Sequence, residues 1–511
     1  MTQDASRSPP RRRGAPVWQA FPFNMTAKTL ETSGTLWTIG GLIVVLFLAT
    51  NLPWHLDDYD QAKQAYASFE MVNAGHWFYQ HTPHERIATK PPLVAWISAA
   101  LFAITRSWEL AWRLPSLLAA MALSIFLFRA ARAAYGSAAG LIALSAVGLN
   151  LLTPRLATLV RTDMPLAFVV FLIGRYIWEK IRAQMPWTNR DRLAIFALLT
   201  AAVLIKGPMV YAFLLPGIAV AVLYDRRQTP NAWCGWWPWL ASLAVFLLWT
   251  TGGILFQSGF VDRVVLREFL HRFGETVHRP QPIYFYLTHL FLKFAPWSIL
   301  TLALAGAGNS DRFNRSSSET RTRRKVSPEV VWLMAWCLGG LIMLSLIPSK
   351  RVDRIFPVIP PLCLLLAAQL GAARQDEMIR RRIWRWSWFA LIASILFTTI
   401  CTGIKVMVGY RGHRDALVRF ARDVRSQAEQ HHWHYEVIST IDEGLLLYLR
   451  RLHFVRPAAA ITEWNRGNID ALVVPENLAP GLMPQLHDAA LSQLRSRPTS
   501  RADTVYVLIT N

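Results

Sequence analysis

The polar segment at residues 53–113 contains residue types that could carry out chemistry. Three aspartates, Asp57, Asp58 and Asp60, stand just before or within the first turn of a predicted helix. Carboxylates at that position cap a helix and complement its dipole, which is the simplest interpretation of the first two. Lys90 directly precedes two prolines. Its ammonium group either extends from an apolar surface into water or contacts a phosphate.

Two predicted helices must hold these residues. Apolar residues recur at helical spacing over residues 62–72, and the pattern ends near Gly75. This amphipathic pattern predicts a helix that lies along a membrane surface. Pro91 and Pro92 begin an apolar helix of about twelve residues, which is too short to cross a bilayer. We expect a short membrane-embedded segment directly after Lys90.

The composition of the chain is typical of a membrane protein. Of its 511 residues, 53% are hydrophobic and 17% are charged, whereas soluble proteins carry about a quarter charged residues. This composition excludes disordered, collagen-like and disulfide-rich proteins, and the 4 cysteines show no metal-ligand spacing. We expect the net charge of +22 to reflect basic cytoplasmic loops, so no nucleic-acid partner is predicted.

Apolar runs that are long enough, or nearly long enough, to span a bilayer recur along the chain. They are Leu36–Leu52, Leu114–Ala130, Ala138–Leu152, Leu166–Trp178, Leu193–Ile205, Met209–Leu223, Trp236–Phe256, Ile283–Leu304, Val330–Ile347, Ile355–Leu370 and Trp386–Ile404. We therefore predict an α-helical polytopic membrane protein with about 11 transmembrane helices. The first run lacks a small-residue cleavage site after it and is expected to be an uncleaved span.

The basic residues between these runs predict the orientation in the membrane. Arg11–Arg13 place the N-terminal segment in the cytoplasm under the positive-inside rule. Alternating spans then put the arginine-rich connections on the same side; these lie at 129–132, 175–192, 226–227, 312–325 and 374–385. The remaining connections mix carboxylates, histidines and isolated cations. Polar chemistry on one face predicts a site at the exported membrane boundary, not an ion path at mid-span.

The last hundred or so residues differ from the rest of the chain. Short apolar segments at 436–441, 471–474 and 505–509 are predicted to be buried strands between polar helices. Three parts are therefore predicted. They are a basic cytoplasmic segment at 1–34, a transmembrane domain at 35–408 with its exported loop at 53–113, and a small exported (periplasmic) α/β domain at 409–511.

Six short motifs appear in the order in which a known family carries them. They are Asp60-Gln61, Gly75-His76-Trp77, Lys90-Pro91-Pro92, Arg113-Leu114-Pro115, Arg161-Thr162-Asp163-Met164-Pro165 and Lys206-Gly207-Pro208. At the first two, the family typically has Asp-Glu and Gly-Asp-Trp. Similar Gln-Pro, Pro-Trp-Ser and Ser-Lys elements follow at 281–298 and 348–361. Through these motifs, the chain resembles the GT-C membrane glycosyltransferases of the glycosyltransferase 39/83 type. That family includes protein O-mannosyltransferases and the lipid A aminoarabinose transferase.

The resemblance implies a reaction and its partners. The family transfers a sugar from a polyprenyl-phosphate donor, with inversion, to a lipid, glycan or protein acceptor on the exported face. The expected location is the bacterial inner membrane, with membrane lipids as further partners. The family's two loop aspartates correspond to Asp60 and Asp163, which are the implied catalytic residues.

Two departures from the family pattern bear on a metal. Gln61 and Thr89 replace acidic residues, and in the aminoarabinose branch the second of these acids is associated with a bound metal. No cofactor is assigned with certainty from the sequence, and a divalent metal is one candidate. Three residues of a later loop are candidate acceptor or metal contacts, although exposed loop residues are the simpler interpretation; they are Glu268, His271 and His278.

Glycosyl transfer needs a carboxylate and cations. It passes through an oxocarbenium-like transition state, and a carboxylate accepts or orients the proton of the acceptor hydroxyl. Cations stabilise the lipid phosphate that leaves. The candidates for this role are Lys90, Lys206, Lys350, Arg351 and Arg354. Simpler interpretations are a local salt bridge or helix cap at Asp163 and membrane anchors at the lysines.

Two functions of other classes stay open. A flippase or transporter of lipid-linked saccharides would carry ionisable residues along a path through its spans and often internal repeats. Neither feature is evident in the sequence. An envelope scaffold that binds partners through its exported tail is disfavoured by the ordered loop motifs.

Overall fold

The computed structural model describes residues 32–56, 58–84, 86–224, 232–270, 281–314, 326–372, 377–439, 442–498 and 504–511. In the part before residue 412, the described helices are α1 (Ser33–Ala49), α2 (Tyr59–Ala74), α3 (Leu93–Thr105), α4 (Trp108–Tyr135), α5 (Ser137–Gly148), α6 (Thr153–Ala157), α7 (Asp163–Ala183), α8 (Asn189–Lys206), α9 (Met209–Tyr224), α10 (Trp237–Phe256), a π-helix (Val261–Leu270), α11 (Phe285–Lys293), α12 (Trp297–Asn314), α13 (Pro328–Leu346), a 3₁₀ helix (Val352–Val358), α14 (Ile359–Ala372) and α15 (Glu377–Arg411).

Each predicted apolar run falls on a described helix, and one run falls on a bent pair. The run from Ile283 to Leu304 is broken between Lys293, where α11 ends, and Trp297, where α12 begins. The two helices meet at 100°. Among the described residues, 5 helices are long and apolar enough to cross a membrane, or 6 if the bent pair is one span. Helices α1, α3, α5 and α9 are apolar but shorter. The number of about eleven spans therefore stays a prediction.

Close approach between helices in the apolar core depends on small residues. Helix α9 packs against α13, where Gly217 and Gly339 face each other. A Cβ atom on Gly217 would lie 2.9 Å from the Cα atom of Trp336, and one on Gly339 would lie 2.9 Å from the backbone nitrogen of Gly217. Small residues allow helix backbones to approach in this way, as is common in membrane bundles.

The two helices predicted within the polar segment at residues 53–113 are confirmed as helices. Helix α2 begins at Tyr59 and ends at Gly75, whose φ of 79° is the left-handed conformation that glycine adopts most easily. Helix α3 contains 13 residues and packs its small residues, Ala95 and Ala99, against Ala67 of α2. The short apolar helix is therefore held by α2, whose predicted position along a membrane surface stays a prediction.

The C-terminal part contains a four-stranded sheet in the order β1-β2-β4-β3. Its elements are α16 (Ala416–His431), β1 (Tyr435–Val437), α17 (Glu443–Tyr448), α18 (Pro457–Asn465), β2 (Ala471–Pro475), α19 (Ala479–Leu482), a 3₁₀ helix (Met483–Gln485), β3 (Ala490–Arg495) and β4 (Tyr506–Thr510). Strands β1 and β2 are parallel, and the other pairs are antiparallel.

The three predicted strands are confirmed, although β1 is shorter than predicted and residues 440–441 lie outside the described residues. Strand β3 was not predicted because it is an edge strand whose side chains are mostly exposed, so it shows no apolar run. The domain boundary at residue 409 stays a prediction.

The C-terminal part shares a hydrophobic core with the polar segment at residues 53–113. The Tyr66 hydroxyl of α2 donates to the Leu452 carbonyl at 2.6 Å, and the Leu56 backbone N–H donates to the Tyr448 hydroxyl at 2.6 Å. Trp112 of α4 lies in the same buried cluster. The start of α2 is therefore supported from both the helical bundle and the C-terminal part.

Candidate active site at the start of helix α2

Asp58 and Asp60 are positioned by the first turn of α2. Asp58 is the N-cap residue, and its side chain accepts a hydrogen bond from the Asp60 backbone N–H at 3.1 Å. The capping interpretation of Asp58 is thus confirmed. Its other carboxylate oxygen accepts from Arg161 at 2.7 Å, so the cap is also a charge partner. Asp57 lies outside the described residues.

Arg161 connects three carboxylates from two distant parts of the chain. Its guanidinium lies 2.7 Å from Asp58, 3.5 Å from Asp60 and 2.7 Å from Asp353. The Arg161 and Asp353 side chains are 9% and 7% exposed, so water screens this pair weakly. A planar guanidinium has five donors in a fixed geometry and can pair with several carboxylates at once, whereas a lysine ammonium has three donors.

Sequence reasoning missed the role of Arg161 and the presence of Asp353. Arg161 was noted only as part of a motif that contains Asp163. Asp353 lies between Arg351 and Arg354, and an acid inside a cationic cluster was the available signal. Its partner stands 192 positions away in the chain, which no local pattern could show.

Asp60 lies between cations. Its carboxylate is 2.5 Å from the Arg351 guanidinium as well as 3.5 Å from that of Arg161. Burial raises the pKa of the Asp60 carboxyl, but the cations outweigh it and hold the pKa below its ordinary value; they are Arg351, Arg161 and Lys90 in decreasing order. The carboxylate is therefore ionised at neutral pH and 40% exposed, so an incoming group can reach it.

Asp163 and Lys206 form a second charge pair. Asp163 is the first residue of α7 and Lys206 is the last of α8, and the carboxylate lies 2.5 Å from the ammonium. Their side chains are 11% and 9% exposed. Asp163 is therefore a salt-bridge residue, but its partner stands 43 positions away and is not the local partner that the simpler interpretation implies. Its catalytic role stays a prediction.

The other predicted phosphate ligands differ in their surroundings. Lys350 donates to the Gln281 carbonyl at 2.9 Å, and both Lys350 and Arg354 are buried. Arg354 donates to the Ser349 carbonyl at 2.7 Å. Lys90 is half-buried and lies close enough to Asp60 to lower its pKa. The structure thus pairs Arg351 with Asp60 and Lys206 with Asp163, and the charge of Lys90 also acts on Asp60.

The family's metal position does not fit a metal in this chain. The acid of the aminoarabinose branch is replaced by Thr89, whose hydroxyl lies 3.5 Å from the Lys63 ammonium. A neutral hydroxyl beside a cation is a poor ligand for a divalent ion. Among the later candidates, the Glu268 side chain and all of His271 and His278 lie outside the described residues.

Glu443 should make stability depend on pH. Burial raises the pKa of its carboxyl to about 7, against the opposing effect of Lys63. Because the folded-state pKa lies above the unfolded value of about 4.3, the stability present at low pH is lost as the pH rises from about 4 to about 7. Glu443→Gln is expected to remove this loss, with a gain on the order of 1 kcal/mol near pH 8 after solvent screening, as thermal unfolding would measure.

Glu476→Gln is the matched control for this change, because Glu476 also lies in the C-terminal part but is 42% exposed and pairs with Arg495. Its change in stability, measured at the same two pH values of about 5 and about 8, is the reference for losing an exposed carboxylate. An equal change at both pH values in Glu443→Gln would contradict the assignment of the raised pKa to this buried carboxyl.

Comparison with known proteins supports the resemblance to membrane glycosyltransferases that the sequence motifs indicate. A model of the family described as dolichyl-phosphate-mannose-protein mannosyltransferase matches residues 89–252. The undecaprenyl phosphate-alpha-4-amino-4-deoxy-L-arabinose arabinosyl transferase 2 of Proteus mirabilis is 24% identical over 68% of this chain and 62% of its own length. Transferase 1 of Sodalis glossinidius is 26% identical over 66% of this chain and 60% of its own length. The chain therefore spans about 60% of these curated relatives.

The fold is also shared with a solved structure. The crystal structure of ArnT from Cupriavidus metallidurans bound to undecaprenyl phosphate superposes with a TM-score of 0.66 at 17% identity, covering 94% of this chain and 98% of that chain. The resemblance to the GT-C glycosyltransferases is confirmed. The chain is a mostly helical, polytopic membrane protein with a GT-C fold.

Only some of the candidate site residues lie in the segment that the family model matches. The segment matched by the family model contains Lys90, Asp163 and Lys206, whereas Asp60 and Arg351 lie on either side of it. The structure brings these flanking residues together into one ion pair. The candidate site is therefore assembled by the tertiary fold from inside and outside the matched segment.

Proposed function

We propose that this chain is a bacterial inner-membrane glycosyltransferase that uses a polyprenyl-phosphate-linked sugar. It transfers the sugar with inversion to a lipid, glycan or protein acceptor at the exported face. The observation that carries the proposal is the Asp60 carboxylate, which is ionised, partly exposed and held between Arg351 and Arg161. A carboxylate beside fixed cations is the arrangement that glycosyl transfer to a hydroxyl from a phosphate requires.

Asp60 acts on the acceptor. Its exposed carboxylate accepts a hydrogen bond from the acceptor hydroxyl, aligns that oxygen for attack on the anomeric carbon, and takes the hydroxyl proton as the new bond forms. The bond from the anomeric carbon to the phosphate oxygen breaks as the new glycosidic bond forms, and the positive charge that develops on the sugar ring is stabilised by nearby carboxylates. Asp163, held by Lys206, is the second such carboxylate.

The cations act on the donor. The phosphate gains negative charge as it leaves, and guanidinium or ammonium groups already in place stabilise that charge without reorganisation. Arg351 contacts Asp60, and the charge of Lys90 lowers the pKa of the same carboxyl, so these two cations are the first candidates for contact with the phosphate. Lys206, Lys350 and Arg354 complete the proposed set. In the present structure, the last two are hydrogen-bonded to backbone carbonyls.

The names of the relatives suggest the donor to test first. Proteins similar to this chain are named for transfer of 4-amino-4-deoxy-L-arabinose from undecaprenyl phosphate, and the structural neighbour was solved with undecaprenyl phosphate. We place about eleven spans in the membrane, the N-terminus in the cytoplasm and residues 409–511 outside as a small α/β domain. These placements follow from the distribution of arginines between the apolar runs.

Incubation of the purified full chain with undecaprenyl-phosphate sugars and bacterial membrane extracts tests the proposal. The donor panel includes the 4-amino-4-deoxy-arabinose form and hexose forms, and mass spectrometry identifies the product. We expect one donor to yield a new glycosidic adduct and free undecaprenyl phosphate. Translocation of donors across a reconstituted bilayer, without an adduct from any of them, would instead support the flippase alternative.

A further inference from the structure

A cluster of metal-ligating side chains lies at the far end of α2 from Asp60. Glu70 belongs to the penultimate turn of the helix, and His76 and His81 lie in the segment that follows Gly75. One ligand atom from each of the three residues lies within 4.8 Å of the others. This spacing is small enough for a single ion to contact all three.

The buried carboxylate in this cluster is incompletely satisfied. Glu70 is 2% exposed, and one of its oxygens, Oε1, contacts Nδ1 of both His76 and His81, the latter at 3.3 Å. The other oxygen, Oε2, is buried and has no hydrogen-bond partner among the described residues. Leaving a buried carboxylate oxygen unpaired is costly, and a bound cation would remove that cost.

The local fold brings the histidines to the carboxylate. The left-handed Gly75 ends α2, and the chain turns back so that both His76 and His81 contact Glu70. A backbone bridge pairs His81 with Ile87. The two imidazole rings meet edge to face, with centroids 4.7 Å apart, and both present their Nδ1 atoms to Glu70 Oε1. The His76 side chain is 51% exposed, which leaves a path for an ion from solvent.

We propose that Glu70, His76 and His81 bind one zinc ion. Two imidazoles and one carboxylate form a ligand set that zinc accepts in tetrahedral geometry, with the fourth position left to water. Magnesium and calcium prefer oxygen ligands and are disfavoured by the two nitrogens. His76 stands where the resembling family has aspartate in its Gly-Asp-Trp motif, so the proposed ligand set depends on this chain's own residue.

This zinc site is separate from the candidate active site. Glu70 stands ten positions after Asp60 on the same helix, which corresponds to about 15 Å at 1.5 Å per residue. The ion would tie the end of α2 to the segment that leads to Lys90. Its role is thus to position the polar segment, and the inference does not depend on the proposed sugar transfer.

Zinc titration of the purified, chelator-treated full chain tests the proposal. We expect the wild-type chain to bind one zinc ion per chain, measured by competition with a chromogenic chelator, and zinc to raise its thermal unfolding temperature. Glu70→Gln and His81→Asn should each weaken zinc binding by roughly 100-fold or more, because each removes a ligand. His76→Asp is the third variant, and it should shift the preference away from zinc towards magnesium.

His84→Asn is the matched control, because His84 is exposed in the same segment, three positions after His81, and stacks on Phe454 without joining the cluster. It should bind zinc as the wild type does. Absence of stoichiometric zinc binding by the wild type, or wild-type binding by Glu70→Gln and His81→Asn, would overturn the proposal. Unfolding temperatures measured without zinc identify any variant that fails to fold, and the remaining variants decide the outcome.

Discussion

Replacing Asp60 with asparagine is expected to reduce sugar transfer by about 10²–10⁴-fold. Asparagine keeps the shape of the side chain but removes the negative charge that accepts the acceptor proton and that pairs with Arg351. Folding should be little affected, because Asp60 is 40% exposed and Arg161 keeps its contacts to Asp58 and Asp353. The initial rate of product formation and the thermal unfolding temperature, measured on the same preparation, check both expectations.

Asp58→Asn is the matched control for this substitution. It removes one negative charge from beside Arg161, which contacts both aspartates, and leaves the pair of Asp60 with Arg351 in place. Asparagine is also a good N-cap residue. We expect it to retain most of the transfer activity. Full activity in Asp60→Asn would show that the proposed site is wrong. Equal loss in both variants, with normal unfolding, would show that the charge of the cluster matters and the position of Asp60 does not.

Replacing Arg161 with methionine is expected to destabilise the protein and abolish transfer. Methionine fills a similar volume but leaves the carboxylates of Asp58, Asp60 and Asp353 without their shared cation. Removing one partner of a buried ion pair costs about 3–5 kcal/mol, because the remaining charge is left uncompensated. Chemical or thermal unfolding in detergent, compared with the wild type, measures this loss.

The double variant Arg161→Met with Asp353→Asn separates the contribution of this ion pair to folding stability from the contribution of Arg161 to sugar transfer. Removing both charges should recover part of the stability lost in the single variant, because the two side chains are in direct contact. Transfer should stay low, since Asp60 has lost one of its two arginines. Normal stability and normal transfer in Arg161→Met alone would refute the central position assigned to this residue.

The ion pairs Asp163–Lys206 and Asp60–Arg351 show that the sequence predicted which residues lie at the site better than it predicted their partners. Asp163 and Lys206 were both predicted to lie at the site, and they contact each other across the ends of α7 and α8. Arg351 was predicted as a phosphate ligand, and it holds Asp60 instead of standing alone. A phosphate that binds Arg351 would therefore compete with Asp60 for the guanidinium, which couples donor binding to the freedom of that carboxylate.

Local pattern was sufficient for the helices, the cap at Asp58, the end of α2 at Gly75 and the three apolar strands. Each of these depends on neighbours within a few residues, such as helical periodicity, an N-cap oxygen or a glycine at positive φ. The ordered loop motifs were also readable from the chain, and they correctly indicated the GT-C resemblance. The amino-acid sequence by itself thus determined the class of the protein and most of its elements.

Only the tertiary structure decided which charges meet. Arg161 reaches carboxylates at positions 58, 60 and 353, and Glu70 gathers two histidines across a chain reversal. Strand β3 exists because β4 pairs with it, not because its own residues are apolar. Ion pairs and ligand clusters depend on distances of a few ångströms between segments, and such distances are set by packing and leave no periodic trace in the sequence.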